Sequence, residues 1–303
     1  MTNTTTKTQP AATNEIATFG AVHLDVHHVD EQVAFWRDVI GMNVRRQDKD
    51  VVELGTPTET LVTLHAGART PFRKGFSGLY HLAVHAADDA EFARIAARLL
   101  QSGLPIAPTD HTMSKAIYLE DPDGMTVEIT LETPERFPDW RVHFEGRSIY
   151  VVDDKGRKRS PTEPLDMREV LSHLPADDAG AKLRTGTKVG HVHLYVGDVP
   201  KAAAFYEGLG FSRTTYYPQL AMADFGAGGA FKHRFATNGW MGPNAPQAPA
   251  GTAGLRHYTV RFADQARLDA ALARHPEAVA REDGYLVSDP SGNKLVLALG
   301  PDP

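Results

Sequence analysis

Apolar and polar residues alternate in four short runs: GAVHLDV (20–26), GLYHLAV (78–84), VGHVHLYV (189–196) and GLRHYTV (254–260). Alternation with a period of two marks a half-buried strand. Helical spacing follows the first three. Val29, Val33, Trp36 and Ile40 fall at i, i+4, i+7 and i+11; Phe92, Ile95 and Leu99 form a second apolar stripe, and Val199, Ala203 and Tyr206 a third. β-rich runs come next in the first half: DVVELGT, TLVTLHA, AIYLEDP and TVEITLE. DPDG (121–124) and DPSG (289–292) read as hairpin turns, because Pro presets one turn dihedral and Gly supplies the positive one. The predicted unit is a strand, a helix and about three strands, four times over.

The units are arranged as a duplication. VHLDV (22–26) recurs as VHLYV (192–196), GLYHLAVHAADDAEF (78–92) as GLRHYTVRFADQARL (254–268), and DPDGMTVEI (121–129) as DPSGNKLVL (289–297). Three blocks in one order, at offsets of 170, 176 and 168 residues, indicate two related domains. The expected division is a disordered polar tail (1–16), a metal-binding domain (17–135), a linker with a short hairpin and a helix (136–187), and a second domain with a degenerate site (188–300). Loops 66–79 and 241–253 are expected to shape the substrate mouth.

Composition narrows the function. The 303 residues carry a formal charge of -6, which argues against nucleic-acid binding. No apolar run is long enough for a membrane span, and the N-terminus lacks the apolar core of a secretory signal, so a cytoplasmic protein is expected. There are no cysteines, which removes disulfides, thiolate nucleophiles, Fe–S clusters and Cys-type zinc sites. There are fourteen histidines. His23 lies mid-strand in the first unit, His81 at the matching place in the second, and Glu128 just after the DPDG turn. These three are expected to meet where the first two units curl toward each other. Two imidazoles and a carboxylate leave open coordination positions, which suits Fe(II) and oxygen chemistry, with Mn(II) also accepted. His27, His28 and His85 are off-register or at strand ends and read as surface residues.

These motifs, with DHTMSKAIYLEDPDGMTVEI, PTEPLDMREVL and the KHRFATNGW run, resemble the vicinal oxygen chelate superfamily of glyoxalase, bleomycin-resistance and extradiol dioxygenase proteins. Within it the chain is similar to the two-domain catechol 2,3-dioxygenases of the Bacillus CatE type, over about residues 17 to 300. The resemblance implies an α+β fold of tandem domains, four βαβββ modules forming curled mixed sheets around a metal cup. It implies a metal on His23, His81 and Glu128. The second-domain counterparts are His193, His257 and Val296, so a second metal site is not expected. By the same resemblance His111 shuttles protons and Tyr118 hydrogen-bonds a substrate oxygen. His65 is a candidate for assisting O2 activation or simply ends a strand. His233 and Trp240 contact an aromatic ring if their run lines the mouth, and are structural otherwise. The implied reaction is ring opening of a small aromatic diol by O2, beside the two hydroxyls. Two alternatives stay open: a glyoxalase-type isomerase or lyase, which wants a carboxylate or amide from the last strand of each module, and a non-catalytic binding protein of the drug-resistance kind. A homo-oligomer is compatible with either.

Overall fold

The computed structural model describes residues 14–176 and 180–300. The expected tail over residues 1–16 lies mostly outside them; at its end Glu15 is buried against Arg234, so that residue is not part of a solvated tail.

All four units form. The first comprises β1 (Ala17–Val26), α1 (Val29–Ala34) running on as a π-helical segment (Phe35–Ile40), β2 (Asn43–Gln47), β3 (Val51–Gly55) and β4 (Thr60–Ala66). The second comprises β5 (Gly78–His85), α2 (Asp89–Ser102), β6 (Ala107–Asp110), β7 (Ser114–Glu120) and β8 (Thr126–Glu132). The linker carries β9 (His143–Glu145), β10 (Ser148–Val152), β11 (Lys158–Arg159), β12 (Glu163–Pro164) and α3 (Met167–Ser172). The third unit comprises β13 (Lys188–Tyr195), α4 (Val199–Gly208), β14 (Ser212–Tyr217), β15 (Met222–Gly226) and β16 (Phe235–Asn238). The fourth comprises β17 (Gly254–Phe262), α5 (Gln265–Ala273), β18 (Val279–Arg281), β19 (Gly284–Ser288) and β20 (Lys294–Leu299).

Local chemistry repeats with the fold. Asp88, Asp198 and Asp264 cap α2, α4 and α5 by accepting the amide three residues on. The apolar stripes Val33–Trp36–Ile40, Phe92–Ile95–Leu99 and Val199–Ala203–Tyr206 are buried. In the DPDG turn Asp121 Oδ1 accepts the amides of Asp123 and Met125, and Gly124 takes φ 85°.

The pairing of units departs from expectation. β1 pairs antiparallel with β17, and β5 pairs antiparallel with β13. The first unit therefore closes a cup with the fourth, and the second with the third. One sheet runs β18-β19-β20-β17-β1-β4-β3-β2; the other runs β12-β6-β7-β8-β5-β13-β16-β15-β14. Each sheet crosses the expected domain boundary, because the linker is long enough to let the two halves exchange partners. One continuous apolar core spans both sheets, with Phe19 of one against Phe235 of the other at 4.8 Å between ring centroids.

Candidate metal centre

His81 of β5 and Glu128 of β8 come together as expected, but the third donor is His191 of β13, not His23. His81 Nε2 is 3.0 Å from Glu128 Oε2, His191 Nε2 is 3.2 Å from the same oxygen, and the two Nε2 atoms are 3.0 Å apart. All three side chains are buried. Adjacent ligands about 2.1 Å from one octahedral ion stand about 3.0 Å apart, so this triangle fits one face of such a site. The partner exchange explains the correction to His23. β1 lies in the other sheet, where His23 meets His65 and His257. His191 was not singled out from the sequence. Its signal is the His-x-His spacing of VGHVHLYV, which puts His191 and His193 on one face of β13.

A buried relay fixes which nitrogen of His191 is free. Glu132 accepts from His85 Nδ1 at 2.8 Å. Burial alone would raise the Glu132 carboxyl, but the bond and charge of His85, with Arg234 and Lys188, outweigh it and hold it well below the carboxylate range. Burial chiefly pushes His85 down to about 4, so its ring is neutral and its Nε2 is an acceptor. His191 Nδ1 therefore donates to His85 Nε2 at 2.8 Å, and His191 Nε2 turns a bare lone pair toward the Glu128 oxygen. His85 is 1% exposed, which corrects its reading as a surface residue. Gly190 makes the relay possible: a Cβ there would fall 1.9 to 2.2 Å from the His85 ring atoms.

Electrostatics favour a cation at the centre. Burial opposes ionisation of Glu128, and attraction to His191 and His81 overcomes it. Yet burial keeps His191 itself well below the usual imidazole range, so neutral. A divalent ion where Glu128 Oε2 and the two Nε2 atoms converge would balance this buried carboxylate. The other oxygen, Oε1, is fixed by the Thr130 hydroxyl at 2.8 Å.

His111 and Tyr118 stand beside this centre. Tyr118 lies opposite Glu128 in the β7–β8 ladder, and its ring is 5.6 Å from that of His81. His111 Nδ1 donates to the Pro161 carbonyl at 2.9 Å, and its Nε2 accepts the Tyr118 hydroxyl, also at 2.9 Å. Burial and the Glu128 charge raise the Tyr118 phenol well above its ordinary value. On the opposite side His233 is buried, with its ring 4.7 Å from that of His191. Burial would lower His233, but Asp224, 3.2 Å away, and Glu128 outweigh it and raise it. Trp240 is half exposed and lies 5.3 Å from Tyr80, which in turn packs on His81 at 4.8 Å. His193 accepts the Asn238 amide at 2.9 Å. His65 is the one candidate besides His23 that the fold removes from this centre, since β4 is in the other sheet. Loops 66–79 and 241–253, expected at the substrate mouth, contribute Phe72, Arg73, Phe76 and residues 247–253 to the other cup instead.

A family model, the Glyoxalase/Bleomycin resistance protein/Dioxygenase superfamily, matches residues 18–129 and 188–297. The catechol-2,3-dioxygenase of Bacillus subtilis (strain 168) is 30% identical over 279 residues, 89% of this chain and 93% of that protein. A crystal structure from Bacillus subtilis subsp. subtilis str. 168, provisionally assigned as a dioxygenase, is similar with a TM-score of 0.59 at 15% identity, over 96% of this chain and 87% of that one. Glyoxalase I from Zea mays gives 0.52 at 15% identity, over 93% of each chain. At those identities the two structures speak for the fold alone.

Proposed function

Because this chain belongs to the Glyoxalase/Bleomycin resistance protein/Dioxygenase superfamily, we propose that it is an extradiol ring-cleaving dioxygenase. It would act on a catechol-type diol with O2 and use one divalent ion, Fe(II) with Mn(II) as the alternative, on His81, Glu128 and His191. The observation that carries the reading is the convergence of three buried donor atoms within 3.0 to 3.2 Å of one another, beside a hydrogen-bonded His111–Tyr118 pair. The catechol-2,3-dioxygenase activity of the Bacillus subtilis relative supports it. An ion on one face of three protein donors would hold diol and O2 together and lower the pKa of the diol.

The chain's own side chains account for the rest. Tyr118 stays protonated; by turning its O–H from His111 Nε2 to a diol oxygen it frees that nitrogen to take up the diol proton. The Pro161 carbonyl holds His111 in the tautomer that keeps this nitrogen an acceptor. Tyr80 and Trp240, edge to face, offer an aromatic corner for the ring. His233, held by Asp224, gives a second proton-bearing group on the far side.

One observation favours a second reading. Asn238 occupies in β16 the register position that Glu128 occupies in β8, opposite Tyr195 as Glu128 is opposite Ala83. That supplies the amide a glyoxalase-type isomerase would use as a fourth donor. Loading the protein with Fe(II) without oxygen, then adding a panel of catechols under air, separates the two. A visible band from a ring-opened semialdehyde is expected. No colour with any catechol, together with tight Zn or Ni, would overturn the dioxygenase in favour of the isomerase; no metal uptake would overturn both.

A further inference from the structure

The cup closed by the first and fourth units has its own chemistry. Its register positions match those of the metal cup: His23 and His257 stand where the other has His81 and His193, with His65 opposite Asp25 and Val296 opposite Thr259 in the carboxylate places. Among the described residues, only His81, Glu128 and His191 bring three donor atoms within 4.8 Å of one another, so the histidines of this second cup do not form a comparable ion site. They are a stacked platform instead. His23 lies on His257 at 4.0 Å with 17° between the planes, and His23 Nδ1 is 2.9 Å from His65 Nε2. Burial, then mutual proximity, pushes His23 down to about 3, while burial and Arg281 push His257 down to about 4. The platform is therefore neutral.

Over it lies a cavity of about 640 Å³. Its walls include Arg73, Arg256, Arg281 and Lys294; Arg256 donates through Nε to Asp25 at 2.8 Å and Arg281 through Nε to Asp283 at 2.9 Å, so each guanidinium is held in place with donors to spare. Half-buried Phe72 and Phe76 face the cavity too. Its roof is a built feature: loop 241–253, rich in Pro, Gly and Ala, is tied to the 69–77 segment by Arg69 N to Gly251 O at 2.7 Å, Ser77 N to Pro246 O at 2.8 Å and Ala253 N to Thr70 O at 2.9 Å. His257 is 5% exposed, and its Nε2 is buried without a hydrogen-bond partner. His257 itself is among the lining residues, so the cavity is roofed, partly aromatic and floored by the imidazole stack.

We propose that this second cup binds a small aromatic carboxylate without transforming it. The flat body would lie against the His23–His257 stack and the phenylalanines. The carboxylate would accept from the guanidinium donors of Arg256 and Arg281 that Asp25 and Asp283 leave free. The inference stands apart from the metal-site reading, since no residue of the metal centre lines the cavity.

Titration calorimetry of the full chain with benzoate, against neutral benzamide, tests it. Benzoate should bind one per chain, and benzamide at least about tenfold more weakly, because a charge-assisted pair is lost. Replacing both half-exposed arginines, Arg256→Gln with Arg281→Gln, should weaken benzoate by at least about tenfold while the thermal melt shows the fold intact. Glu128→Gln should leave benzoate binding unchanged. Absence of benzoate binding, equal binding of benzamide, retention in the folded double variant, or loss in Glu128→Gln would each overturn the proposal.

Discussion

Gly190→Ala would test whether the buried relay behind His191 tunes the metal centre. The new methyl would sit 1.9 Å from His85 Cγ, 2.1 Å from Cδ2 and 2.2 Å from Nδ1. The β13 backbone is held there, since the Gly190 carbonyl accepts from Arg234 at 3.2 Å. The imidazole must leave, although it is 1% exposed and bonded at both nitrogens. Overpacking costs about 1–3 kcal/mol and an unpaired buried donor on His191 about as much again, so a loss of about 2–5 kcal/mol in stability is expected. His191 would also lose the partner that fixes its tautomer, which should lower metal affinity by about 10- to 100-fold. Urea melts of the metal-free protein read the first effect, and competition titration with a chromophoric chelator reads the second. The double variant Gly190→Ala with His85→Ala separates them. Removing the ring relieves the clash and returns part of the stability, but metal affinity stays low. If Gly190→Ala kept wild-type metal affinity, the relay would have no hold on His191 and the tautomer argument would fail.

Two shorter tests follow. His191→Ala should reduce metal affinity by more than about 100-fold while His23→Ala leaves it within about threefold, as read by metal content after dialysis; the reverse pattern would return the third ligand to His23. His23 and His257 are held neutral in the fold, down to about 3 and about 4, whereas an unfolded imidazole titrates near 6.5. The unfolded chain therefore takes up protons first. This stability is complete above about pH 6.5 and declines as pH falls toward about 4. Allowing for partial solvent access, about 1–2 kcal/mol is expected between urea melts at pH 7.5 and pH 5, and His257→Asn should flatten the slope. Parallel profiles for the variant and the wild type would refute the assignment.

Much of this was legible in the chain because it is local. Trp36, Ile40, Phe92 and Leu99 announce their helical faces by spacing, and each is buried. DPDG announces a turn through a proline and a glycine. His81, Glu128, His111 and Tyr118 all belong to one unit, so their mutual placement follows from that unit's own strand order, and they do gather. His191 did not follow. Choosing between β1 and β13 as the partner of β5 is a long-range decision, and the two strands carry the same Val-His-Leu pattern. His85 was misread for a related reason. It sits at the end of its own strand, and what buries it is Gly190 and His191 from the other half of the chain.

That partner exchange also explains why the two cups differ. A buried Glu–His–His cluster is costly unless every polar atom finds a partner or an ion. The second unit supplies the carboxylate, one imidazole, the Thr130 anchor and the His111–Tyr118 pair. The third supplies the remaining imidazole and brings Arg234, which holds Glu132 and so the relay. Neither half of the chain carries the full set, so the site depends on the exchanged pairing and not on either repeat alone. The first and fourth units inherit the same strand positions with Val296 in one carboxylate place and His65 in the other. With no carboxylate at those two places, their histidines stay neutral and stack on one another, and the cup's charges lie on its rim in the Arg256–Asp25 and Arg281–Asp283 pairs. A duplicated scaffold thus yields one cup suited to a cation and one suited to an anion, and the chemistry of each follows from a few side chains at equivalent points of the same fold.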